Sequence, residues 1–334
     1  MNKSESMRAC WFESFGAASD VLILGEQPKP QPASGEVLVR MHTTGVNPSD
    51  VKKRAGAFPN LLDEGLVIPH SDGAGLIESV GEGVSSQRIG ERVWVYQAQF
   101  ARRFGSAAEY LAIDASRAAT LPGNTTFETG ACLGIPVMTS HRCVFVDGPV
   151  EAQTVLITGG AGRVGYYAIQ WAKQAGARVI ATASNDADRA TCESVGADIV
   201  INHREANWGD SLLSATGGNK VDHVVDVEFG ANLPEVLKLI RTGGSIATYS
   251  SSQVKEPQLP FLQMMYLDLT LHMVIVYAIP EAAKQAAIAD INKKLAKDEL
   301  QHRIAHVLEF DEMVRSHELI EEGGFGGSVV VRVG

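Results

Sequence analysis

The chain has 334 residues, is 45% hydrophobic and 20% charged, and carries a formal net charge of −10. This is the composition of a globular protein long enough for two domains around large cores. The acidic balance excludes a general nucleic-acid binder, which needs a basic face.

Residues 1–6, MNKSES and its flank, lack a hydrophobic signal core and read as a loose extension, with the first strand starting at Met7. The segments 36–46 (EVLVRMHTTGV), 73–81 (GAGLIESVG) and 91–96 (ERVWVY) alternate apolar and polar side chains between Gly, Pro and Asn turns, which predicts half-buried strands. The texture changes around 127–150, where FETGACLGIPVMTSHRCVF predicts a helical passage. Strands and helices then alternate. TVLIT (154–158), RVIATAS (178–184), DIVIN (198–202), VDHVVDV (221–227) and GSIATYS (244–250) are strands, with helix-like segments at 186–195, 207–216 and 231–241. Continuous Val/Ile runs separated by helices indicate a parallel sheet covered on both faces. LTLHMVIVY (269–277) adds a strand, and the rest returns as helix, strand, helix and strand, ending in the β-like GGSVVVRV (326–333). The expected fold class is α/β, with a β-rich domain over 1–134 and 280–334 interrupted by a doubly wound parallel-sheet domain over 135–279.

The most informative stretch is TVLITGGAGRVG, 154–165. An apolar strand breaks into a turn in which Gly160, Gly162 and Gly165 fit G-x-G-x-x-G, and an amphipathic helix follows. One glycine permits the tight turn, one lets the backbone approach a pyrophosphate, and the last lets the helix pack on the strand. The helix N-terminus offers N–H groups and partial positive charge to that pyrophosphate. The loop residues Gly160, Ala161, Gly162, Arg163 and Val164 are therefore expected to bind a dinucleotide. A turn-forming glycine cluster without ligand is the plainer alternative.

No apolar run is long enough to span a bilayer, so no membrane partner and a cytoplasmic location are expected. Cys10, Cys132, Cys143 and Cys192 are scattered without a C-x-x-C pair, which fits free thiols in a reducing compartment.

Several segments resemble the medium-chain dehydrogenase/reductase superfamily, and within it the zinc-free quinone oxidoreductases related to zeta-crystallin. They are TGVNPSDVKKRAG (44–56), IPHSDGAGLIESVGEGV (68–84), GERVWVY (90–96), AAEYLAI (107–113), ACLGIPVMTSHR (131–142), TGGAGRVG and GADIVINHRE (196–205), with a glycine-rich end before VVVRV. The resemblance implies a GroES-like catalytic domain and a Rossmann domain, with the active site in the cleft between them. Zinc-dependent relatives place a cysteine where this chain has Asn47, a histidine–glutamate pair at Ser71 and Asp72, and a third ligand near Ile135. A catalytic zinc needs three His, Cys or carboxylate ligands, so no metal is expected. His70 is read as a hydrogen-bonded loop side chain rather than a stray ligand.

The resemblance implies NADPH-dependent reduction of a quinone. The alternatives are an NADPH-dependent enone or alkenal reductase and a non-catalytic NADPH-binding sensor. Candidate catalytic residues are Asn47, which takes the place of a family asparagine near the nicotinamide ribose, Lys52 and Tyr96. Lys52 is either a donor to a developing oxyanion or a solvated lysine in KKR. Tyr96 is either a substrate contact or core filling. Thr139 matches a threonine that faces the cofactor in the family.

The second strand of the nucleotide domain ends at Ser184 and Asn185 rather than at Asp or Glu, which leaves room for a 2′-phosphate and favours NADPH over NADH. Where relatives often have lysine this chain has Asp188, so Arg189, Arg204 or Arg163 is expected to supply the cation, unless these are solvated surface charges. Val227, Phe229, Tyr249, Ser250 and Ser251 follow later strands at carboxyl ends and are expected near the cofactor, with Val276 and Tyr277 on its nicotinamide side or in the core. An apolar edge strand over 269–277 is a liability unless paired. In the family this strand pairs with its twin, so a homodimer is expected.

Overall fold

The computed structural model describes residues 5–334, and the reading of residues 1–4 as an extension lies outside the described residues. Ser6 already belongs to a strand. In chain order the first strands are β1 (Ser6–Trp11), β2 (Ile23–Pro28), β3 (Glu36–Val46), β4 (Asp72–Val80), β5 (Arg92–Val95), β6 (Tyr110–Asp114) and β7 (Ala118–Thr120). Then come β8 (Thr154–Ile157), β9 (Arg178–Ala183), β10 (Ile199–Asn202), β11 (Val221–Asp226), β12 (Ile240–Thr248) and β13 (Thr270–Met273), and the chain closes with β14 (Ile304–Leu308) and β15 (Ser328–Arg332). The chain divides into two compact units. The first runs to Ile135 and resumes from Ile288 to Gly334, and the second is Pro136–Ala287.

In the first unit a seven-stranded sheet has the order β14-β15-β3-β4-β5-β7, with β6 also paired to β3. β3 is its central strand, paired antiparallel to β4, β6 and β15, and it is buried on both faces over most of its length, with only Arg40 exposed, where its alternation predicted a half-buried strand. Val37, Val39, Met41 and Val46 on β3 bury against Val67, Val93, Leu111, Val329 and Val331. The β3–β4 register sets Gly45 opposite Asp72. The first residue of β4 therefore lies beside the end of β3, where Asn47 caps the Pro48–Arg54 helix. Gly45 permits a close approach: a Cβ there would lie 2.0 Å from the Ala131 carbonyl oxygen.

The second unit is a parallel six-stranded sheet of order β10-β9-β8-β11-β12-β13. Numbered from β8 this is 3-2-1-4-5-6, the doubly wound order whose switch point lies between the first and fourth strands. Val155, Leu156, Ile157, Val224 and Val225 are wholly buried, as their continuous apolar run requires. The helices Asp186–Ser194 and Trp208–Ala215 fall where their sequence patterns put them, while Phe229–Leu239 ends two residues before the expected 241 because Ile240 already begins β12.

The expected strand over 269–277 is a correction. Its ladder ends with Thr248 paired to Met273, because β12 ends there, and Val276–Ala278 forms a 3₁₀ turn.

Gly45→Ala should destabilise the protein by about 1–3 kcal/mol, because the new methyl meets backbone that cannot rotate away. A denaturant midpoint unchanged from wild type would show that β3 and the Ala131 carbonyl are not in this close contact.

Candidate functional site

In the first unit a polar cluster forms where the end of β3, the start of β4 and the Leu133–Val137 π-helical turn meet. Asn47 is buried and caps the Pro48–Arg54 helix in a reciprocal capping box with Asp50. Its backbone N–H donates to Asp50 Oδ2 at 2.9 Å and its side-chain Nδ2 to Asp72 Oδ2 at 2.9 Å. The same Asp72 oxygen accepts the Ile135 backbone N–H at 2.8 Å. Asp72 Oδ1 is buried and has no hydrogen-bond partner. Burial, with Asp50 nearby, pushes the Asp72 carboxyl up to about 8. Burial also raises Asp50, against the pull of Lys53.

Helical phase separates the two lysines. Lys52 is exposed, whereas Lys53 is buried and donates from Nζ to the Gln99 carbonyl at 2.7 Å. Burial lowers the Lys53 ammonium, and Asp50 and Asp72 act in the opposite direction. The Tyr96 hydroxyl donates to the Ser116 carbonyl at 2.9 Å, and its ring tilts against Trp94, so the side chain is built into the sheet.

A second buried group adjoins this cluster. His70, in the left-handed region at φ 76°, sets Nε2 at 2.9 Å from Nε2 of His317 on the Met313–Glu322 helix. His70 Nδ1 lies 3.0 Å from Thr44 Oγ1. Thr44 and Ser106 hydroxyls both donate toward the Asp72 carbonyl. Thr44 Oγ1 also lies 2.7 Å from Ser106 Oγ, one of the two facing histidine Nε2 atoms donates to the other, and His317 Nδ1 has no hydrogen-bond partner.

The donor set does not suit zinc. Asn47 and Ile135 aim N–H groups at the Asp72 carboxyl, and Ser71 donates to Asp50 at 3.3 Å. Among the described residues no group of three or more His, Cys, Asp or Glu side chains is arranged to hold a metal ion.

In the second unit β8 ends at the glycine turn. Gly162, which has no side chain to cap with, is the N-cap of the Arg163–Gln174 helix, and no acidic residue lies in its first turn. A Cβ at Gly165 would lie 2.3 Å from the Gly159 carbonyl, and one at Gly160 would lie 2.8 Å from Cys192 Sγ. These close approaches require glycine and keep the turn tight, the shape a pyrophosphate needs, and the residues present fit a dinucleotide. The left-handed residue is Gly159 (φ 62°), one position before the G-x-G-x-x-G pattern. Sequence reasoning also missed the support beneath it. Thr158 Oγ1 donates to Asp226 Oδ1 at 2.7 Å and accepts the Val227 N–H at 2.9 Å, and Asn232 donates to the same carboxyl. This ties β8 to β11 at the switch point. The signal was a threonine and an aspartate, each closing an apolar strand.

The remaining expected residues are placed as follows. Ser184 Oγ donates to Asp188 Oδ2 at 2.7 Å, and Asn185, the cap of Asp186–Ser194, donates to the same oxygen at 2.8 Å. Arg189 donates to the Val200 carbonyl, Arg204 is exposed, and Arg163 is half-buried. Phe229 is buried and its N–H donates to Ser250 O at 3.0 Å. Tyr249 N–H donates to Asp226 O at 3.1 Å, and Ser251 Oγ accepts Gly230 N–H at 3.0 Å. Ser250, Ser251 and Val227 therefore sit together above the carboxyl ends of β11 and β12. Thr139 is buried in the Met138–Val144 helix, Val276 is buried and Tyr277 half-buried.

A family model for the alcohol dehydrogenase GroES-like domain matches residues 33–123, and one for zinc-binding dehydrogenase matches residues 164–293. The quinone oxidoreductase of Rattus norvegicus is 34% identical over 244 residues, 72% of this chain and 72% of that protein. The structure of a mycobacterial quinone oxidoreductase is similar at TM-score 0.86 and 27% identity, covering 98% of this chain and 99% of that one. A mycobacterial protein solved complexed with NADPH is similar at TM-score 0.83 and 26% identity, covering 98% of this chain and 99% of that one.

The histidine pair predicts acid sensitivity. Burial holds His70 well below its ordinary value of 6.5, with His317 and Lys53 adding to this, and burial together with Arg54 lowers His317 to about 3. Both bind protons more readily when unfolded, so their stabilisation is intact above pH 6.5 and drains as the pH falls toward 3. The slope is up to about 1.4 kcal/mol per pH unit for each histidine. Unfolding free energies measured between pH 7 and 4 should fall steeply for wild type and less for His317→Gln. Equal slopes would remove the pair as the cause.

Proposed function

The chain belongs to the zeta-crystallin-like quinone oxidoreductase branch of the medium-chain dehydrogenase/reductase superfamily, and on that premise we propose that it is an NADPH-dependent, metal-free quinone reductase. The observation that carries this reading is a glycine turn at a Rossmann switch point, leading into a helix with no acidic residue in its first turn, together with a polar cluster that binds its own N–H donors instead of a cation.

The bound nicotinamide supplies the hydride. The protein's part is to hold and orient. The Arg163–Gln174 helix N-terminus receives the pyrophosphate. Ser184 leaves the end of β9 without a carboxylate of its own, while Asp188 is held by Ser184, Asn185 and the first turn of its helix. Arg204 and Arg163 are the cations for the 2′-phosphate, in keeping with the likeness to an NADPH-bound protein. Asn47 holds the nicotinamide ribose, and Thr139, Val227, Ser250, Ser251 and Val276 complete the cofactor contacts. A quinone suits this site because the oxygen anion left by hydride addition is stable enough to take its proton from water or a hydrogen-bond donor. An alcohol substrate would instead need a Lewis acid. Four buried cysteines outside any disulfide among the described residues fit a reducing, cytoplasmic setting.

NADPH oxidation followed by absorbance should proceed with 1,4-benzoquinone, more efficiently than with NADH, and should survive a zinc chelator. Turnover confined to an acyclic enone would make it an enone reductase. Binding of NADPH without turnover would make it a sensor.

We propose a homodimer formed through β13. This edge strand, the segment just after it and the adjoining Phe261–Tyr266 helix expose Met273 (68%), Ile275 (55%), Phe261 (70%) and Tyr266 (78%), an apolar edge of the kind that pairs or aggregates. Size-exclusion chromatography at micromolar concentration should give a dimer for wild type and a monomer for Ile275→Lys. A wild-type monomer would contradict the assignment.

A further inference from the structure

The Asp72 carboxyl has an arrangement that neither catalysis by the cofactor nor sheet pairing requires. One oxygen, Oδ2, accepts two N–H groups, from Asn47 Nδ2 at 2.9 Å and from Ile135 at 2.8 Å. The other, Oδ1, faces Gly134 so closely that a Cβ there would lie 2.0 Å away. It receives no donor although it is wholly buried. The charged groups around it are Asp50 and Lys53 on the Pro48–Arg54 helix, with His70 two residues before it in the chain and Tyr96 after β5 on the Gly134 side. Lys53 Nζ bonds the Gln99 carbonyl, and no ion pair involves Asp72 among the described residues. An ionised carboxylate with one bare buried oxygen beside a second acid is a costly arrangement, whereas a carboxylic acid is far less so.

Asn47 in turn has both ends of its amide committed. Its oxygen caps the helix by accepting the Asp50 N–H, and one Nδ2–H goes to Asp72. Only one rotation of the amide satisfies both, so the second Nδ2–H has a fixed direction. We propose that Asp72 is the positioning residue of this site, working as a neutral acid that locks the Asn47 amide and the Ile135 backbone amide in one arrangement. The proposal rests on the reading of Asn47 as a cofactor contact. Burial with Asp50 raises the Asp72 carboxyl to about 8, which agrees with the neutral form at pH 7. An asparagine at this position would present the same shape: a carbonyl oxygen for the two N–H donors, and an NH₂ in place of the acid O–H.

The test is a double-mutant cycle read by NADPH binding, through quenching of protein fluorescence, and by turnover. Asp72→Leu should weaken NADPH binding by about tenfold, and Asp72→Asn should recover most of that loss. In an Asn47→Ala background Asp72→Leu should add less than about twofold, because its effect passes through Asn47. Failure of asparagine to rescue, or full additivity in the cycle, overturns the proposal.

A second arm needs no ligand and covers the case in which the leucine variant does not fold. Asp72 binds its proton to about pH 8 when folded but only to about 3.8 when unfolded. Its contribution is therefore complete below pH 3.8, declines as the pH rises, and levels off above 8. The thermal midpoint of wild type minus that of Asp72→Asn should fall between pH 4 and 8 and then flatten. A difference that is flat or rises over that window means an ionised Asp72 and overturns the proposal. If wild type reduces no quinone, the functional reading falls while this arm still decides the state of Asp72.

Discussion

Two N–H groups converging on one buried carboxyl oxygen hold the first unit's polar cluster together. Asp72 begins β4, Asn47 follows β3, and Ile135 lies within the π-helical turn, so a single side chain fastens that turn to two strand ends that the sheet already pairs. The β3–β4 register brings the carboxyl to this point, and Gly45 and Gly134 clear the space around it. Burying such a group without hydrogen bonds would cost several kcal/mol. With them it becomes a fixed reference from which the Asn47 amide takes its direction.

The second unit solves a comparable problem in the same way. Asp226 closes β11, accepts from Thr158 and Asn232, and ties the end of β8 to its neighbour across the switch point. Its other oxygen is also buried and unpaired, and burial raises its carboxyl as well. In both units a buried acid braces a turn. The glycine turn is built from small residues that pack closely on the strand end, so much of its rigidity comes from the layer beneath it.

Much of this was legible in the sequence. β3 runs from Glu36 to Val46 as its pattern indicated, but Leu38, Thr43, Thr44 and Gly45 are buried as well, because elements of this unit cover both of its faces. The Rossmann strands stood out because a sheet covered on both faces demands unbroken Val and Ile. Three things were missed. Lys52 was the lysine singled out, whereas helical phase buries Lys53. Asp50, Lys53 and Arg54 share the buried face at spacings of three and four, a signal that was present once Pro48 was taken as the first helical residue. The partner of His70 lies 247 residues away, in a helix whose apolar pattern gave no sign of a polar contact. The end of β13 was set by the length of β12 and not by its own apolar run, which continues past Met273.

The first unit is discontinuous in the chain, and this bears on how the protein is made. β14 and β15 extend its sheet, His317 completes the histidine pair, and Glu321 meets the buried guanidinium of Arg54, yet all of these are encoded after the second unit. A nascent chain emerging from the ribosome can complete the Rossmann sheet first, while β3 waits with its β15 edge open. The earliest-synthesised half of the molecule is thus the last to close. The interval in which apolar β3 lacks its neighbour is the time taken to translate the intervening unit, and it is then that a cellular holdase would have most to protect.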